Sequence, residues 1–169
     1  MSVRPASLLL AIVLGASSAG PAAARSSDRQ QPMDIQAGHQ TGTVDYSQPT
    51  TLSGGVKIVQ GTLNIDADRA VISFKDGEAS QAVLTGNQAV LRQQMDNGTP
   101  MTARADRIDY DMLADVVVLI GNYTVTTQRG STSGQRLTYN LKSGQVDSGG
   151  EDGGRVKMRI LPKSQRTQN

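Results

Sequence analysis

The sequence predicts an all-β protein whose antiparallel strands form an open-ended structure of repeated units. Three observations lead to this prediction. Glycine is frequent, at 18 of 169 residues, and Thr, Val and Ile are common after the first 24 residues. Apolar and polar residues alternate in several stretches, as they do in strands with one buried face. A similar pattern recurs in units of about 30 residues, which must stack or fold over one another to bury their apolar faces.

The first 24 residues have the features of a cleaved secretory signal peptide. Arg4 precedes an apolar run, and Ala22 and Ala24 supply the small residues of a cleavage site. The run is short for a bilayer span, so a retained membrane anchor is the lesser alternative. We predict a signal peptide over 1–24, a flexible N-terminus over 25–32, one β domain over 33–162 and a disordered polar tail over 163–169.

A glycine motif occurs three times, in "TLSGGVKIVQ" (51–60), "VLTGNQAVLR" (83–92) and "VLIGNYTVTT" (118–127). Gly54, Gly86 and Gly121 align at spacings of 32 and 35 residues, and a leucine lies two positions before each. We interpret each glycine as the lead into a strand.

A second motif occurs in "IQAGHQTGTV" (35–44), "IDADRAVISF" (65–74), "ARADRIDYDM" (103–112) and "TSGQRLTYNL" (132–141). The last three copies alternate apolar and mainly polar residues, which predicts strands. Asp68 and Asp106 align, and we interpret both as residues that cap or pair backbone in a turn at a strand start. Glycines within 75–78, 96–99 and 142–145 predict hairpin turns. A final strand over 155–161 ends at Pro162.

Composition excludes several classes of protein. The chain has no cysteine, so it has no disulfide framework and no thiolate site. Its net charge is +2, its basic residues are scattered, and aromatic residues make up 3%. A nucleic-acid-binding protein would need a basic patch and aromatic stacking platforms, and this composition offers neither.

Three clustered aspartates, Asp106, Asp109 and Asp111, raise the question of a metal site or an acid/base pair. On a strand, Asp109 and Asp111 share the outer face with Arg107, and the residues between them face inward. The aligned copies lack this pair, which favours a solvated strand face. A calcium site would need six to eight oxygen ligands. His39 is the only histidine and lies in a polar stretch, so neither a triad nor a histidine metal site is indicated.

The predicted inward face consists of aliphatic residues with a few aromatic rings. Such a face forms either a packed core or an apolar trough for acyl chains, and the pattern alone leaves both open. The candidate interior positions are Ile35, Val56, Ile58, Ile72, Phe74, Val90, Ile108, Tyr110, Met112, Val125, Leu137, Tyr139 and Leu141.

Four segments, "LSGGVKIVQGTLNIDADRAVI", "LRQQMDNGTPMTARADRIDYD", "VVVLIGNYTV" and "RVKMRILP", follow the signal peptide in this order. Together they resemble the OstA-like domain family of periplasmic lipopolysaccharide-transport proteins over about residues 31–162. The resemblance implies a twisted antiparallel β-jellyroll, V-shaped and open-ended. It also implies a periplasmic, non-enzymatic protein without cofactors that holds the acyl chains of lipid A inside and stacks head to tail. An LptC-like inner-membrane component would pair at the N-terminal edge and an LptD-like outer-membrane component at the C-terminal edge.

The resemblance assigns roles to particular residues. The N-terminal edge corresponds to Met33, Asp34 and Ile35. Val156, Met158 and Ile160 would form the opposite edge. Lipid-contacting positions correspond to Tyr110, Met112 and Leu91. Since Leu91 conflicts with the alternation that points Val90 inward, a bulge near Gly86 is one way to shift the register.

Two other functions remain as alternatives. A carbohydrate-binding or adhesin-type β protein would need exposed aromatic rings for stacking on sugars. A secreted β-fold hydrolase would need two carboxylates about 5–10 Å apart in a cleft.

Overall fold

The chain forms one antiparallel β-sheet in a computed structural model that describes residues 28–95, 97–149 and 154–165. The signal peptide predicted over 1–24 lies outside these residues, as do residues 25–27 and 166–169. The described strands are β1 (Met33–Thr41), β2 (Thr50–Gln60), β3 (Leu63–Lys75), β4 (Glu78–Gln94), β5 (Pro100–Asp111), β6 (Val116–Thr127), β7 (Gly130–Asn140), β8 (Val146–Ser148) and β9 (Lys157–Ile160).

From β1 to β8, each strand pairs with the strands that precede and follow it in the sequence. The sheet order is β1 to β8 without crossover, and β9 pairs with β7. β8 lies beside Leu137–Tyr139 and β9 beside Gly130–Ser133, so two short strands share the C-terminal edge. The predicted fold class, an all-β antiparallel and open structure, is confirmed.

A row of irregular pairings crosses the middle of the sheet. The register shifts between Ala37 and His39 in β1, and comparable shifts follow in β2 to β6. We call this line the bulge row, and its members are Gly38, Gly54, Gly55, Ala67, Asp68, 86–88, Ala105, Asp106, Gly121 and Asn122. Bulges bend a strand and increase its twist, so the row is where the sheet folds.

The fold over the bulge row brings the two halves of the sheet together. Tyr110 lies on one side of the row in β5, and Gln60 lies on the other side in β2. Even so, the Tyr110 hydroxyl lies 3.5 Å from Gln60 Oε1, and both residues are buried. Side chains from the two halves therefore meet in a common apolar core.

Glycine allows the close approaches in the row. A Cβ on Gly38 would lie 2.8 Å from the carbonyl oxygen of Gly54 on the neighbouring strand. Gly54 and Gly121 both have φ +76°, in the left-handed region that favours glycine. The glycine motifs thus mark mid-strand bends, which corrects the interpretation that each glycine leads into a strand.

Residues just before β1 and after β9 are folded where the structure describes them. Asp28–Gln30 forms a 3-10 turn, and the Thr62 hydroxyl donates a 2.5 Å hydrogen bond to Asp28 Oδ2. Lys163–Gln165 forms a second 3-10 turn. The flexible N-terminus predicted over 25–32 and the disordered tail predicted over 163–169 stay predictions.

Candidate functional site

The apolar interior is densely filled in its middle. Ile58 and Ile108 are fully buried, and Leu91 and Tyr110 are each 1% exposed. Half-buried Phe74, Met112, Val125 and Tyr139 pack against this core. The middle of the interior is therefore a packed core in this conformation.

A large cavity opens at the C-terminal end, where the two halves of the sheet separate. Its volume is about 750 Å³. Met101 and Val125 line it from one half, and Leu137, Tyr139 and Leu141 line it from the other. Val146 of β8, together with Val156 and Met158 at β9, forms its mouth. The size and lining are typical of a pocket for an apolar small molecule.

A smaller cavity of about 480 Å³ lies at the N-terminal end. Its walls include Ile35 of β1, Leu52, Ile72 and Phe74. The β1–β2 loop reaches over it, and the rings of Tyr46 and Phe74 stack with centroids 4.6 Å apart.

A side-chain cap holds the β1–β2 loop in shape. The backbone N–H and the hydroxyl of Ser47 both donate to Asp45 Oδ1, at 3.1 and 2.8 Å. These hydrogen bonds, the backbone one first, hold the pKa of the Asp45 carboxyl below its usual value. The loop therefore keeps its anionic cap at neutral pH.

The structure places the predicted interior residues in three groups. In the closed middle lie Val56, Ile58, Leu91, Ile108, Tyr110 and Met112. The C-terminal cavity is lined by Val125, Leu137, Tyr139 and Leu141. At the N-terminal cavity, Ile72 is buried and Phe74 is half-buried. Ile35 is 38% exposed there, so it lies at an open mouth rather than in an enclosed interior.

Leu91 lies inside the fold, and Val90 does not. The register shifts between Thr85 and Ala89, where β4 passes the bulge row. The inward positions are Ala82 and Leu84 before the shift, and Ala89 and Leu91 after it. The inward position predicted for Val90 is wrong because that alternation was continued through a bulge.

The three clustered aspartates form no common site. Asp109 accepts two hydrogen bonds from Arg107, at 2.5 and 2.9 Å, and this pairing raises the pKa of the arginine. Asp111 Oδ1 accepts the N–H groups of Leu113 and Ala114 in the β5–β6 hairpin. Each of these carboxylates is therefore occupied locally on the outer face of the sheet.

Asp68 and Asp106 differ from their predicted place at a turn. Both lie within strands, in the bulge row. Asp68 Oδ2 accepts the backbone N–H of Asn87 at 2.9 Å. Asp106 Oδ2 accepts a hydrogen bond from the Asn122 side-chain amide at 2.8 Å. Their pairing with neighbouring groups was foreseeable from the repeated Asp-Arg, but their location was not, because a mid-strand bulge interrupts alternation as a turn does.

Several residues that line the cavities were missed by the sequence analysis. Met95 and Met101 line the C-terminal cavity, as does Gln93, and Tyr46 covers the N-terminal one. Met101 alternates with buried Ala103 and Ala105, and this signal extends one step before the motif that begins at residue 103. Gln93 and Tyr46 carry no such signal, since one is polar and the other lies in a loop.

Exposed apolar side chains are concentrated at the two ends of the sheet. At the N-terminal end, Ile35, Val44 and Tyr46 are exposed. The C-terminal end exposes Val146, Val156, Met158 and Ile160, of which Met158 is 66% and Ile160 70% exposed. Within the described ranges, no helix is long and apolar enough to cross a bilayer, and no three His, Asp or Glu side chains cluster to hold a metal ion.

The sequence matches the family described as LptA/(LptD N-terminal domain) LPS transport protein over residues 34–145. It is 31% identical to the lipopolysaccharide export system protein LptA of Escherichia coli (strain K12) over 151 residues, covering 88% of this chain and 81% of that protein. It is 29% identical to the protein of the same name from Haemophilus influenzae over 158 residues, covering 92% and 90% of the two chains.

The fold also matches a solved structure. LptH of Pseudomonas aeruginosa, described as the LptA-homologous periplasmic component of a lipopolysaccharide transport device, superposes with a TM-score of 0.72. The match covers 80% of this chain and 99% of LptH, at 22% sequence identity. Taken with the family match over most of the β domain, these likenesses establish that the chain belongs to the LptA and LptD N-terminal domain family of lipopolysaccharide transport proteins.

Proposed function

We propose that this protein carries lipopolysaccharide through the periplasm, with acyl chains of lipid A held in the apolar interior. The observation that carries the proposal is the C-terminal cavity of about 750 Å³, whose mainly apolar lining comes from both halves of the sheet. Burying apolar surface stabilises a bound chain by roughly 25 cal/mol per Å² without directional contacts. Membership of the transport family supports the same role.

The closed middle of the interior is part of this proposal. Cavities lie at both ends, but Ile58, Leu91 and Tyr110 fill the space between them. A chain that passes from one end to the other must therefore displace these side chains. The bulge row is the hinge about which the two halves can open, because strand pairing is already interrupted there.

Contacts between protein molecules are proposed at the two sheet edges. β1, with Met33, Asp34 and Ile35, is the N-terminal edge for an LptC-like component. The C-terminal edge carries the exposed Met158 and Ile160, with Val156 just before β9, and serves an LptD-like component. A second copy joins through the same edges by strand addition. Since the two edges differ, repetition of this contact makes a head-to-tail filament rather than a closed dimer.

A photo-crosslinking amino acid at Tyr139 tests where the lipid lies. Tyr139 lines the C-terminal cavity, whereas its neighbour Thr138 lies on the opposite face of β7. With purified lipopolysaccharide, we expect a crosslink from position 139 and at most a trace from position 138. A third probe at Tyr110 reports whether the closed middle opens when lipid is present.

Equal labelling from positions 138 and 139 would contradict an interior lipid site. Each variant's circular-dichroism spectrum and melting temperature provide the control for folding. When the crosslinked lipopolysaccharide is labelled, an excess of unlabelled lipopolysaccharide should compete with it. The labelled crosslink from position 139 should then decrease as the concentration of the competitor increases.

A further inference from the structure

Two buried polar atoms stand out in the described part of the chain because they have no hydrogen-bond partner. They are Oγ1 of Thr50 and Oε1 of Gln93, and these residues are 4% and 5% exposed. Thr50 lines the N-terminal cavity, and Gln93 lines the C-terminal one. Buried polar groups nearly always have hydrogen-bond partners, so an unpaired polar atom in a cavity wall indicates a partner that binds there.

Gln93 belongs to the inner face at the end of β4. It has the same orientation as Leu91, two residues earlier, and it pairs across the sheet with Met101. Around it the cavity wall presents Met101, Val125 and Leu137. A glutamine in this setting contributes less to packing than an apolar residue of its size, and it leaves an acceptor unpaired.

We infer that Gln93 is a specificity-determining residue that accepts a hydrogen bond from a hydroxyl group on a bound acyl chain. The C-terminal cavity therefore prefers hydroxylated acyl chains over unsubstituted ones. This inference rests on the proposed function, in which the cavity holds acyl chains. The terminal torsion of a glutamine side chain is broad, so rotation of the amide turns its oxygen toward a ligand in the cavity.

A neutral hydroxyl fits this site better than a charged donor. A cation in the apolar wall would need a buried counter-charge to offset its desolvation. The carboxylate that lines the cavity, Asp147, is exposed near the mouth in β8. A site arranged to hydrogen-bond a hydroxyl discriminates strongly against the analogue that lacks it, because the buried acceptor is then left unpaired.

Calorimetric titration with matched chains tests the inference. The probes are dodecanoate and three hydroxydodecanoates, with the hydroxyl near the carboxylate, at mid-chain or at the far end, all below their micelle concentrations. For the unaltered protein, we expect one hydroxylated chain to bind about tenfold more tightly than dodecanoate. The preferred hydroxyl position indicates how far from the carboxylate of the bound acyl chain Gln93 lies.

The variant Gln93→Met keeps the side-chain length and removes the acceptor. We expect it to lose the preference, with weaker binding of the hydroxylated chain and tighter binding of dodecanoate. Thr50→Val is the matched control, because it removes the other orphan polar atom at the opposite end and should leave the preference unchanged. Removal of an unpaired buried acceptor should also raise the melting temperature of Gln93→Met.

The outcomes separate this inference from the proposed function. Equal affinities of all four chains for the unaltered protein would overturn the hydroxyl preference and leave an apolar carrier intact. A preference that persists in Gln93→Met, or disappears in Thr50→Val, would overturn the assignment to Gln93. Failure of every chain to bind would count against both. If Gln93→Met does not fold, Gln93→Leu takes its place in the same titration.

Discussion

At the scale of single residues, the bulge row depends on pairs of aspartate and glycine on neighbouring strands. A Cβ on Gly86 would lie 2.8 Å from Asp68 Oδ2, and one on Gly121 would lie 2.5 Å from Asp106 Oδ2. Each carboxylate thus lies against a backbone that has no side chain. A bulge leaves backbone groups unpaired, and Asp68 satisfies one of them by accepting the Asn87 N–H.

The variant Gly121→Ala should destabilise the fold more than Gly77→Ala. Both glycines have left-handed backbone, with φ of +76° and +80°, so both variants carry the same strain of about 1 kcal/mol. Nothing lies within 4 Å of a Cβ on Gly77, whereas one on Gly121 meets Asp106. We expect an additional loss of about 1–2 kcal/mol for Gly121→Ala in urea unfolding. Equal losses would show that Asp106 moves away freely.

Side-chain direction was predictable from the sequence wherever alternation is unbroken. Ile108 and Tyr110 lie inside, and Asp109 lies outside with Arg107, as their period-2 pattern predicts. The inward direction of Val90 was not correctly predicted, because alternation changes phase where a bulge adds a residue to one strand. Sequence shows that a glycine is present, but whether a bulge adds one residue or two depends on pairing with the next strand.

At the scale of elements, each of the seven copies of the repeated motifs proved to lie along one strand, from β1 to β7. β4 runs over 17 residues through Gly86, and β2 runs over 11 residues through Gly54 and Gly55. The hairpin predicted over 75–78 is confirmed, with Asp76 and Gly77 at positive φ between β3 and β4. A bend and a turn both interrupt alternation, so a sequence pattern does not distinguish them without knowledge of strand partners.

The proposed contact at the C-terminal edge depends on exposed apolar side chains. We expect Met158→Glu and Ile160→Glu each to reduce self-association, because a charge would replace apolar surface at the proposed contact. Both side chains are largely exposed, so the monomer should lose little stability, within about 0.5 kcal/mol. Sedimentation velocity over a concentration series measures the association.

Leu113→Glu is the control for these edge variants. The exposed fraction of Leu113 is 60%, similar to the 66% of Met158, but Leu113 lies in the β5–β6 hairpin rather than on an edge strand. The variant Leu113→Glu should therefore associate like the unaltered protein. If Leu113→Glu weakened association as much as Met158→Glu, general surface hydrophobicity rather than the edge would be responsible.

At the scale of the whole molecule, charge is distributed unevenly between the two ends. Asp34 and Asp45 are exposed on β1 and the loop that follows it. Arg155, Lys157 and Arg159 are exposed at the opposite edge. Head-to-tail contact would bring these opposite charges together, which adds an electrostatic attraction to the apolar contact.

Self-association should therefore weaken as salt increases. Raising the ionic strength from about 0.05 M to about 0.5 M shortens the screening length several-fold and reduces attraction between exposed charges. We expect a shift toward the monomer in light scattering. Association that strengthens with salt would indicate that apolar contact alone drives assembly, and Asp34→Lys should then have no effect.

The overall architecture was predictable from the repeats, whereas the distribution of open space was not. Units of similar pattern indicate a sheet that grows by one hairpin after another, as the order β1 to β8 confirms. Whether the interior is filled or hollow depends on how side chains from the two halves meet. Ile58 and Tyr110 fill the middle, and the divergence of β8 and β9 opens the C-terminal end. Both depend on contacts across the fold that no local pattern contains.

Because the strand order has no crossover, the sheet can be lengthened by the insertion of further hairpins. Because each hairpin pairs with its neighbours in sequence, duplication of the β3–β4 hairpin would insert two strands and leave both edges as they are. Adjacent strands lie about 4.8 Å apart, so each duplication would add roughly 10 Å to the length. A set of proteins with identical ends and graded lengths could then measure how far apart two attachment points lie.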